Sequence, residues 1–349
     1  MIRRSISADE TEEIAPVRGR RWAAIAGVLI FGLGAVALGG CGGKAASSSK
    51  PVALRVARSV GFGAKIYDVA AGDGALWITS DGAVLRVDPK TGSTVARIAV
   101  AGNSLFPIAA GPSAVWVGVL ASDKSHGLLV RIDPAMNRVT ARISLGVGEP
   151  MGIAVAPGTI WVDTDINGGT VYRVDPGDNR VESGPLTVDQ AAELAFGGGS
   201  LWVGQQMDTS LTRVDAAKNA VIGSPLQLGG ENVGAVIYAY GAVWAGDDAQ
   251  SLFGSGSVVR IDRASQAHGM ITIANQDTID DLASAFGRVW VLSSGNTLQL
   301  AEINPATHKL SGPPTPVNGT TDFSGAIAAG DGSLWVITDE RTLTELVPR

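Results

Sequence analysis

Tryptophan recurs along this chain at near-even intervals, and each copy lies in a short apolar run. The spacing between successive copies is about 40 to 45 residues, and an aliphatic residue stands eight positions before every one of them. The seven repeating tryptophans, out of eight in the chain, are Trp77, Trp116, Trp161, Trp202, Trp244, Trp290 and Trp335. Repeats of this length, made of short β-branched runs between Gly, Pro and Asp, are typical of four-stranded propeller blades. The pattern predicts an all-β protein, a seven-bladed β-propeller.

The repeat at residues 68–100 illustrates the predicted blade, with four short apolar runs separated by turn residues. In the first five repeats the third run ends in Asp, mostly followed by Pro, which suits the start of a type I turn. In the sixth repeat this pattern decays to Glu302-Ile303-Asn304-Pro305. The tryptophans are expected to pack between neighbouring blades, because an indole buries a large apolar area.

The seventh repeat is incomplete at its C-terminal end. The residues after Trp335 are enough for a third strand at 341–347 but not for a fourth. Residues 52–60 resemble the fourth strand at 94–100 and supply the missing one. An open ring would expose a strand edge that invites association, so we expect the N-terminal strand to pair onto the last blade and close the circle. Residues 52–349 are therefore predicted to form one propeller domain.

The N-terminal residues predict attachment to a membrane. Residues 22–40 are apolar and uncharged, follow a basic flank, and lead into Leu38-Gly39-Gly40-Cys41, which resembles the lipobox of bacterial lipoproteins. The resemblance implies that Cys41, the only cysteine, is lipidated and becomes the mature N-terminus. The alternative is an uncleaved membrane helix, since about 20 apolar residues span a bilayer. Either way, residues 1–41 comprise a cytoplasmic basic segment and a signal or anchor, residues 42–51 are a flexible tether, and the propeller lies in the cell envelope, outside the cytoplasm.

Charge narrows the choice of partners. The chain carries a formal net charge of −6, and the excess of acidic over basic residues is located in the part of the chain after residue 50. An acidic propeller is a poor match for nucleic acid or an anionic surface, which need basic patches. We expect a monomer whose partner, apart from the membrane, is a basic, cationic or neutral small ligand or an envelope protein.

Propellers bind ligands at the funnel of the central channel, on the face built by loops that enter each first strand and loops that join the second strand to the third. Counting back from the aliphatic residue of each repeat aligns the first set of loops. The resulting candidate ligand-binding residues are Lys65, Tyr67, Phe106, Glu149, Met151, Gln190, Glu193, Asn232, Asp280 and Asp281. This face is acidic, with an aromatic patch formed by Tyr67, Phe106 and Phe323.

The carboxylates of this face suggest a cation. Converging carboxylates could hold a hard divalent cation such as Ca²⁺ or Mg²⁺, or an amine-bearing ligand. Two adjacent carboxylates on a strand, as in Asp280-Asp281, point to opposite faces, so only one of them is expected to face the channel. The sequence contains no Ser-His-Asp set, zinc-ligand spacing, P-loop or dinucleotide fingerprint. His126 lies in a loop of the binding face and is expected to be inert.

The third repeat resembles a known family of enzymes. Residues 149–154, Glu-Pro-Met-Gly-Ile-Ala, followed by Thr-Ile-Trp-Val at 159–162, look like the repeats of virginiamycin B lyase and of the wider group of YVTN- and NHL-type bacterial propellers. The resemblance implies a seven-bladed fold. The lyase opens a cyclic ester by elimination, with a histidine base and a bound Mg²⁺. Here Met151 stands where that histidine would stand, and a methionine cannot accept a proton, so the lyase mechanism does not carry over.

These observations favour a membrane-tethered, non-enzymatic propeller that binds a small ligand or a protein at its funnel face. The alternative is a metal-dependent lyase or hydrolase of the virginiamycin B lyase type, in which Asp281 or Glu193 serves as the base. A third reading is the sensor or scaffold of a larger envelope assembly, which requires a protein partner at the same face.

Overall fold

A computed structural model describes residues 50–165, 168–182, 184–206, 209–229, 232–247, 255–275, 278–320 and 325–349. These residues form strands and turns. Within the described ranges there is no helix long and apolar enough to cross a membrane. The predicted signal or anchor, its Cys41 and most of the predicted tether lie outside the described residues.

The strands form seven antiparallel sheets, one for each tryptophan repeat. Blade 1 contains Ile66–Gly72, Ala75–Ser80, Ala83–Val87 and Thr94–Ala99. Blade 2 contains Ser104–Ala110, Val115–Leu120, Gly127–Asp133 and Arg138–Gly146. Blade 3 contains Pro150–Ala156, Thr159–Thr164, Thr170–Asp175, Arg180–Val181 and Leu186–Thr187. Blades 4 and 5 contain Ala191–Gly197, Ser200–Gln205, Ser210–Asp215, Ala220–Val221 and Leu226–Gln227; and Val233–Ala239, Ala242–Asp247, Ser255–Asp262 and His268–Asn275. Blades 6 and 7 contain Thr278–Ala285, Arg288–Ser294, Leu298–Asn304, Lys309–Leu310 and Thr315–Pro316; and Ile327–Gly330, Ser333–Asp339, Thr342–Pro348 and Leu54–Gly61. The predicted seven-bladed propeller is confirmed.

The first strands of the blades surround the centre of the ring. Each first strand contacts the first strand of the next blade, and that of blade 7 contacts those of blades 6 and 1. In blades 1 to 6 the pairing of the first strand with the second shifts register just before the repeat's aliphatic residue. Such a bulge redirects the side chains beside it. The side chains just before each aliphatic residue therefore do not follow the regular alternation between the two faces of a strand.

The seven tryptophans pack in the core between blades, as predicted, with at most 3% of each exposed. In blades 1 to 5 an arginine of the third strand pairs with the tryptophan of the second strand and lies over its ring, at 5.3 Å for Arg86 on Trp77. In blades 1 and 2 this arginine also reaches the next blade. Arg86 donates from Nη1 to the Pro134 carbonyl at 2.8 Å and to Asn137 Oδ1 at 2.9 Å, and Arg131 makes the same two contacts with Pro176 and Asn179. In these two blades the stacked arginine thus ties its tryptophan to the Asp-Pro turn of the neighbouring blade.

In blades 6 and 7 the residue opposite the tryptophan is a glutamate instead of an arginine. The N-terminal segment supplies a hydrogen-bond donor to each of these glutamates. Glu345 pairs with Arg58 of the N-terminal strand at 2.6 Å, and Arg58 lies 5.8 Å from the centre of the Trp335 ring. Glu302 pairs with Arg288 at 2.5 Å and accepts the backbone N–H of Val52 at 2.7 Å. The altered pattern of the sixth repeat therefore marks a docking position for the N-terminal segment.

The N-terminal strand completes blade 7, as predicted. It pairs antiparallel with the last strand, from Leu54 opposite Pro348 to Gly61 opposite Thr342. Arg58 also donates to the Lys90 carbonyl of blade 1 at 2.7 Å. A single arginine thus connects the closing strand to blades 7 and 1.

We expect Arg58→Ala to lower the free energy of unfolding by about 2 kcal/mol, because it removes charge-assisted hydrogen bonds and leaves buried Glu345 without this partner. Arg55→Ala is the matched control, since Arg55 lies exposed on the same strand and its loss should change stability by less than about 0.5 kcal/mol. Urea unfolding of both variants measures the difference. Equal stabilities would show that Arg58 does not hold the closure.

Candidate functional site

The mouth of the funnel carries an aromatic pair. Tyr67 of blade 1 and Phe106 of blade 2 meet edge to face, with ring centroids 5.1 Å apart and planes at 73°. The Tyr67 hydroxyl donates to the carboxylate of Asp81, in the turn between the second and third strands of blade 1. Phe323, expected to join this patch, lies outside the described residues. The pair spans the boundary between two blades, beside an exposed carboxylate.

The remaining candidates at the mouth are held by contacts with neighbouring loops. Lys65 pairs with Glu340 at 2.5 Å, which links blade 1 to blade 7. The backbone N–H of Glu149 donates to Asp165 at 2.9 Å, and that of Asn232 donates to Asp247 at 3.2 Å. Met151 and Gln190 are partly buried there. The structure thus brings these candidates to one acidic face around the channel.

Two deeper carboxylates join neighbouring blades. Asp68 stands directly before the aliphatic residue of blade 1 and accepts the N–H of Val69 at 2.7 Å and that of Ile108, in blade 2, at 3.0 Å. Asp281 does the same for blades 6 and 7, at 2.6 Å from the N–H of Leu282 and 2.8 Å from that of Ile327. Both side chains are almost fully buried. Each carboxylate therefore bridges the first strands of two adjacent blades.

Glu193 occupies the equivalent position in blade 4 but makes no such bridge. It is 0% exposed, and neither carboxylate oxygen has a hydrogen-bond partner within the described part of the chain. Its side chain is one methylene longer than that of Asp68 or Asp281. The carboxylates that act on it electrostatically are Asp281, Asp163 and Asp68, from blades 6, 3 and 1. Because those blades stand on different sides of the ring, the Glu193 carboxylate points towards its centre.

Asp163 completes the group from the second strand of blade 3. Its Oδ1 accepts the N–H of Gly152 at 2.5 Å, while its Oδ2 has no partner among the described residues. Gly152 fills the position that Glu193 fills in blade 4, and a Cβ there would lie 3.2 Å from both Asp163 Oδ1 and the Leu194 nitrogen. The Asp163 carboxylate therefore uses space that a larger residue at 152 would take. We call Asp68, Asp163, Glu193 and Asp281 the channel carboxylates.

The candidate set drawn from the sequence contains only part of this group. It includes Glu193 and Asp281 but omits Asp68 and Asp163. The signal for Asp68 was its alignment with those two residues, and the signal for Asp163 was the missing side chain at Gly152. The two carboxylates of the Asp280-Asp281 pair diverge: Asp280 accepts from Ser294 Oγ at 2.9 Å within its own blade, whereas Asp281 faces blade 7.

Burial changes the acidity of this group. It raises the pKa of Asp163 to about 7, although the N–H of Gly152 opposes the shift. Burial also raises the pKa of Glu193 well above its usual value, and the charges of Asp281, Asp163 and Asp68 add to the effect. The pKa of Asp281 is raised well above its usual value, first by burial and then by Asp68, against the hydrogen bond from Ile327. Asp163, Glu193 and Asp281 therefore retain protons at pH values where exposed carboxyls are ionised.

The group can hold protons or attract a cation. Among the described residues, no three His, Cys, Asp or Glu side chains converge closely enough to hold a metal ion. The expectation of bound Ca²⁺ or Mg²⁺ stays a prediction. What the arrangement offers is unpaired carboxyl oxygens in a dry setting, where electrostatic interactions are stronger than in water.

Comparison with known proteins supports the fold alone. The sequence matches no protein-family model, and it matches none of the curated proteins with which it was compared. Among solved structures, the chain is similar to hydrazine synthase of Kuenenia stuttgartiensis, with a TM-score of 0.66 and 13% identity over 79% of this chain and 94% of that one. At this identity the likeness extends to the propeller architecture and not to chemistry. The class of protein is thus a seven-bladed β-propeller with buried carboxylates at its centre.

The raised pKa values predict that the fold loses stability as pH rises. In the unfolded chain these carboxyls ionise near pH 4, whereas in the folded chain Asp163 keeps its proton up to about pH 7. Between these values the unfolded state binds fewer protons, so the free energy of unfolding falls with rising pH. For Asp163 alone the loss should be on the order of 4 kcal/mol.

Asp163→Asn should therefore flatten the dependence of stability on pH between about pH 4 and 7. Asp178→Asn is the control, because Asp178 lies exposed in an outer turn of the same blade. Denaturant unfolding at a series of pH values measures the effect. A slope that is identical in wild type and Asp163→Asn would show that Asp163 is ionised throughout.

Proposed function

We propose that this chain is a non-enzymatic binding propeller, tethered to a membrane outside the cytoplasm, that takes a cationic ligand or a basic protein segment at its funnel face. The observation that carries the proposal is that the acidic, aromatic mouth of the funnel lies above the channel carboxylates. A neutral or anionic ligand would gain little from such a site, whereas a cation gains at both levels.

The mouth suits the first encounter with a cation. The Tyr67 and Phe106 rings offer aromatic faces and edges beside the exposed Asp81 carboxylate. A cation over such a ring is stabilised by about 0.5 to 2 kcal/mol, depending on how far it is desolvated. The net negative charge of the chain adds long-range attraction. These features support a cationic partner more than a nucleic acid or an anionic surface.

The location rests on the N-terminal sequence. The apolar stretch, its basic flank and the lipobox-like Leu38-Gly39-Gly40-Cys41 support export and lipid attachment. The alternative anchor is an uncleaved helix. Both arrangements place the propeller in the cell envelope, where it would meet ligands or envelope proteins.

A metal-dependent lyase or hydrolase is the second candidate. It is favoured by Asp163, because a carboxyl with a pKa of about 7 is matched to proton transfer at neutral pH. Glu193, which is also shifted upwards, could serve as the second proton carrier of such a pair. Against a virginiamycin B lyase-like mechanism stands Met151, at the position of that family's histidine.

A thermal-melt screen tests the binding function. The full-length chain is melted with amines, divalent cations, a chelator, sugars and cell-wall fragments, and a ligand at 100 times its dissociation constant should add about 2.7 kcal/mol. Tyr67→Ala should weaken binding of the active ligand by about tenfold, because the aromatic contact is lost. Tyr240→Ala, in a turn on the opposite face, is the control. Equal binding by wild type and Tyr67→Ala would remove the mouth from the site.

Lipid attachment has its own test. Mass spectrometry of the protein from its native membrane should find a diacylated cysteine at residue 41 and no residues before it. Cys41→Ala should abolish the modification and leave the precursor uncleaved. A wild-type chain that still contains residues 1–40 would contradict lipidation and favour the uncleaved helix.

A further inference from the structure

We propose that Glu193 and Asp163 form the innermost subsite of the channel and receive a primary ammonium group, such as that of a lysine side chain or an alkylamine. This inference deepens the proposed function and rests on it, because the ammonium must belong to the ligand or partner that the funnel face accepts. The mouth would hold the body of the ligand, and the channel carboxylates would recognise its charged end.

The number of unpaired oxygens matches the number of donors. Both oxygens of Glu193 and Oδ2 of Asp163 are buried without a hydrogen-bond partner among the described residues. A primary ammonium has three N–H donors and no acceptor. A buried carboxylate without a partner is costly, and hydrogen bonds to a charged donor are among the strongest in proteins. An ammonium between blades 3 and 4 would satisfy all three oxygens.

Asp68 and Asp281 are already engaged by the backbone. Each accepts two backbone N–H groups, one from its own blade and one from the next. Together with Asp163 they are the groups that act electrostatically on Glu193, and all three are acidic. Glu193 and Asp163 are therefore the two members of the group with oxygens left to bind a donor.

A primary ammonium fits this geometry better than a metal ion or a quaternary ammonium. A metal needs several converging ligands, and no three suitable side chains meet within the described residues. A quaternary ammonium has no N–H to donate to the three oxygens. It would suit the aromatic mouth instead.

Binding should release protons. Before binding, the buried Glu193 carboxyl is neutral, and Asp163, with a pKa of about 7, is mostly protonated at pH 6.5. When the ammonium arrives, both protons leave to solvent, and the resulting carboxylates accept N–H hydrogen bonds. No covalent bond to the ligand forms. The complex then contains one ammonium and two new carboxylates.

Calorimetry with 1,5-diaminopentane tests the inference on the full-length chain. At pH 6.5, titrations in two buffers with different ionisation enthalpies should show release of more than one and up to about two protons for each bound amine. Glu193→Gln should weaken binding by about tenfold or more and lower the proton release by about one, and Asp163→Asn should weaken it by a similar factor. Glu182→Gln is the matched control, since Glu182 pairs with Arg173 in the outer part of blade 3 at 3.2 Å.

Several results would overturn the subsite. They are the absence of amine binding, tetramethylammonium binding as tightly as the diamine, or unchanged amine affinity in both Glu193→Gln and Asp163→Asn. Calcium binding that is lost in Glu193→Gln, without amine binding, would assign the site to a metal instead. Circular dichroism confirms that each variant is folded. If Tyr67→Ala abolishes ligand binding while both channel variants retain it, the proposed function stands and this inference fails.

Discussion

Closure of the ring depends on the pairing of a short N-terminal strand with the last blade. The strand adds backbone pairing along its length, but pairing alone does not fix which blade it joins. Two glutamates provide that information. Glu302 and Glu345 stand where the other blades carry an arginine, and each is buried against a tryptophan. A buried glutamate without a partner is costly, so the N-terminal segment, with Arg58 and the Val52 N–H, is favoured there over any other edge.

The closed ring places acidic residues of four blades around one centre. Asp68 and Asp281 are stabilised by the N–H groups of two adjacent blades, which makes their burial tolerable. Glu193 and Asp163 lack that compensation for three of their oxygens. Residues that break local rules of stability in this way are characteristic of functional sites, where the rest of the fold supports the strain. In this propeller the stacked arginines that reach the next blade contribute to that support.

The sequence was sufficient for the fold but not for the site. The period of the tryptophans and the surplus strand at residues 52–60 predict seven blades and their closure, because both are repeated local patterns. The change to Glu302 in the sixth repeat was interpreted as decay, since its partner lies far away in the sequence. Because a bulge precedes the aliphatic residue, the alternation of the sequence does not predict which of the side chains just before it faces the channel. Asp163 enters the site from another strand, through space left by Gly152, so its only signal is the absence of a side chain at the aligned position of the first strand.

The central claim is that Glu193 stays protonated in the channel until a cation replaces its proton. Infrared difference spectroscopy at neutral pH tests it directly, because a protonated carboxyl and a carboxylate absorb separately. The account predicts a protonated-carboxyl band in the wild-type chain that is weaker in Glu193→Gln and declines when the diamine saturates the protein. A wild-type spectrum without that band, or a band that persists in Glu193→Gln at full strength, would contradict it.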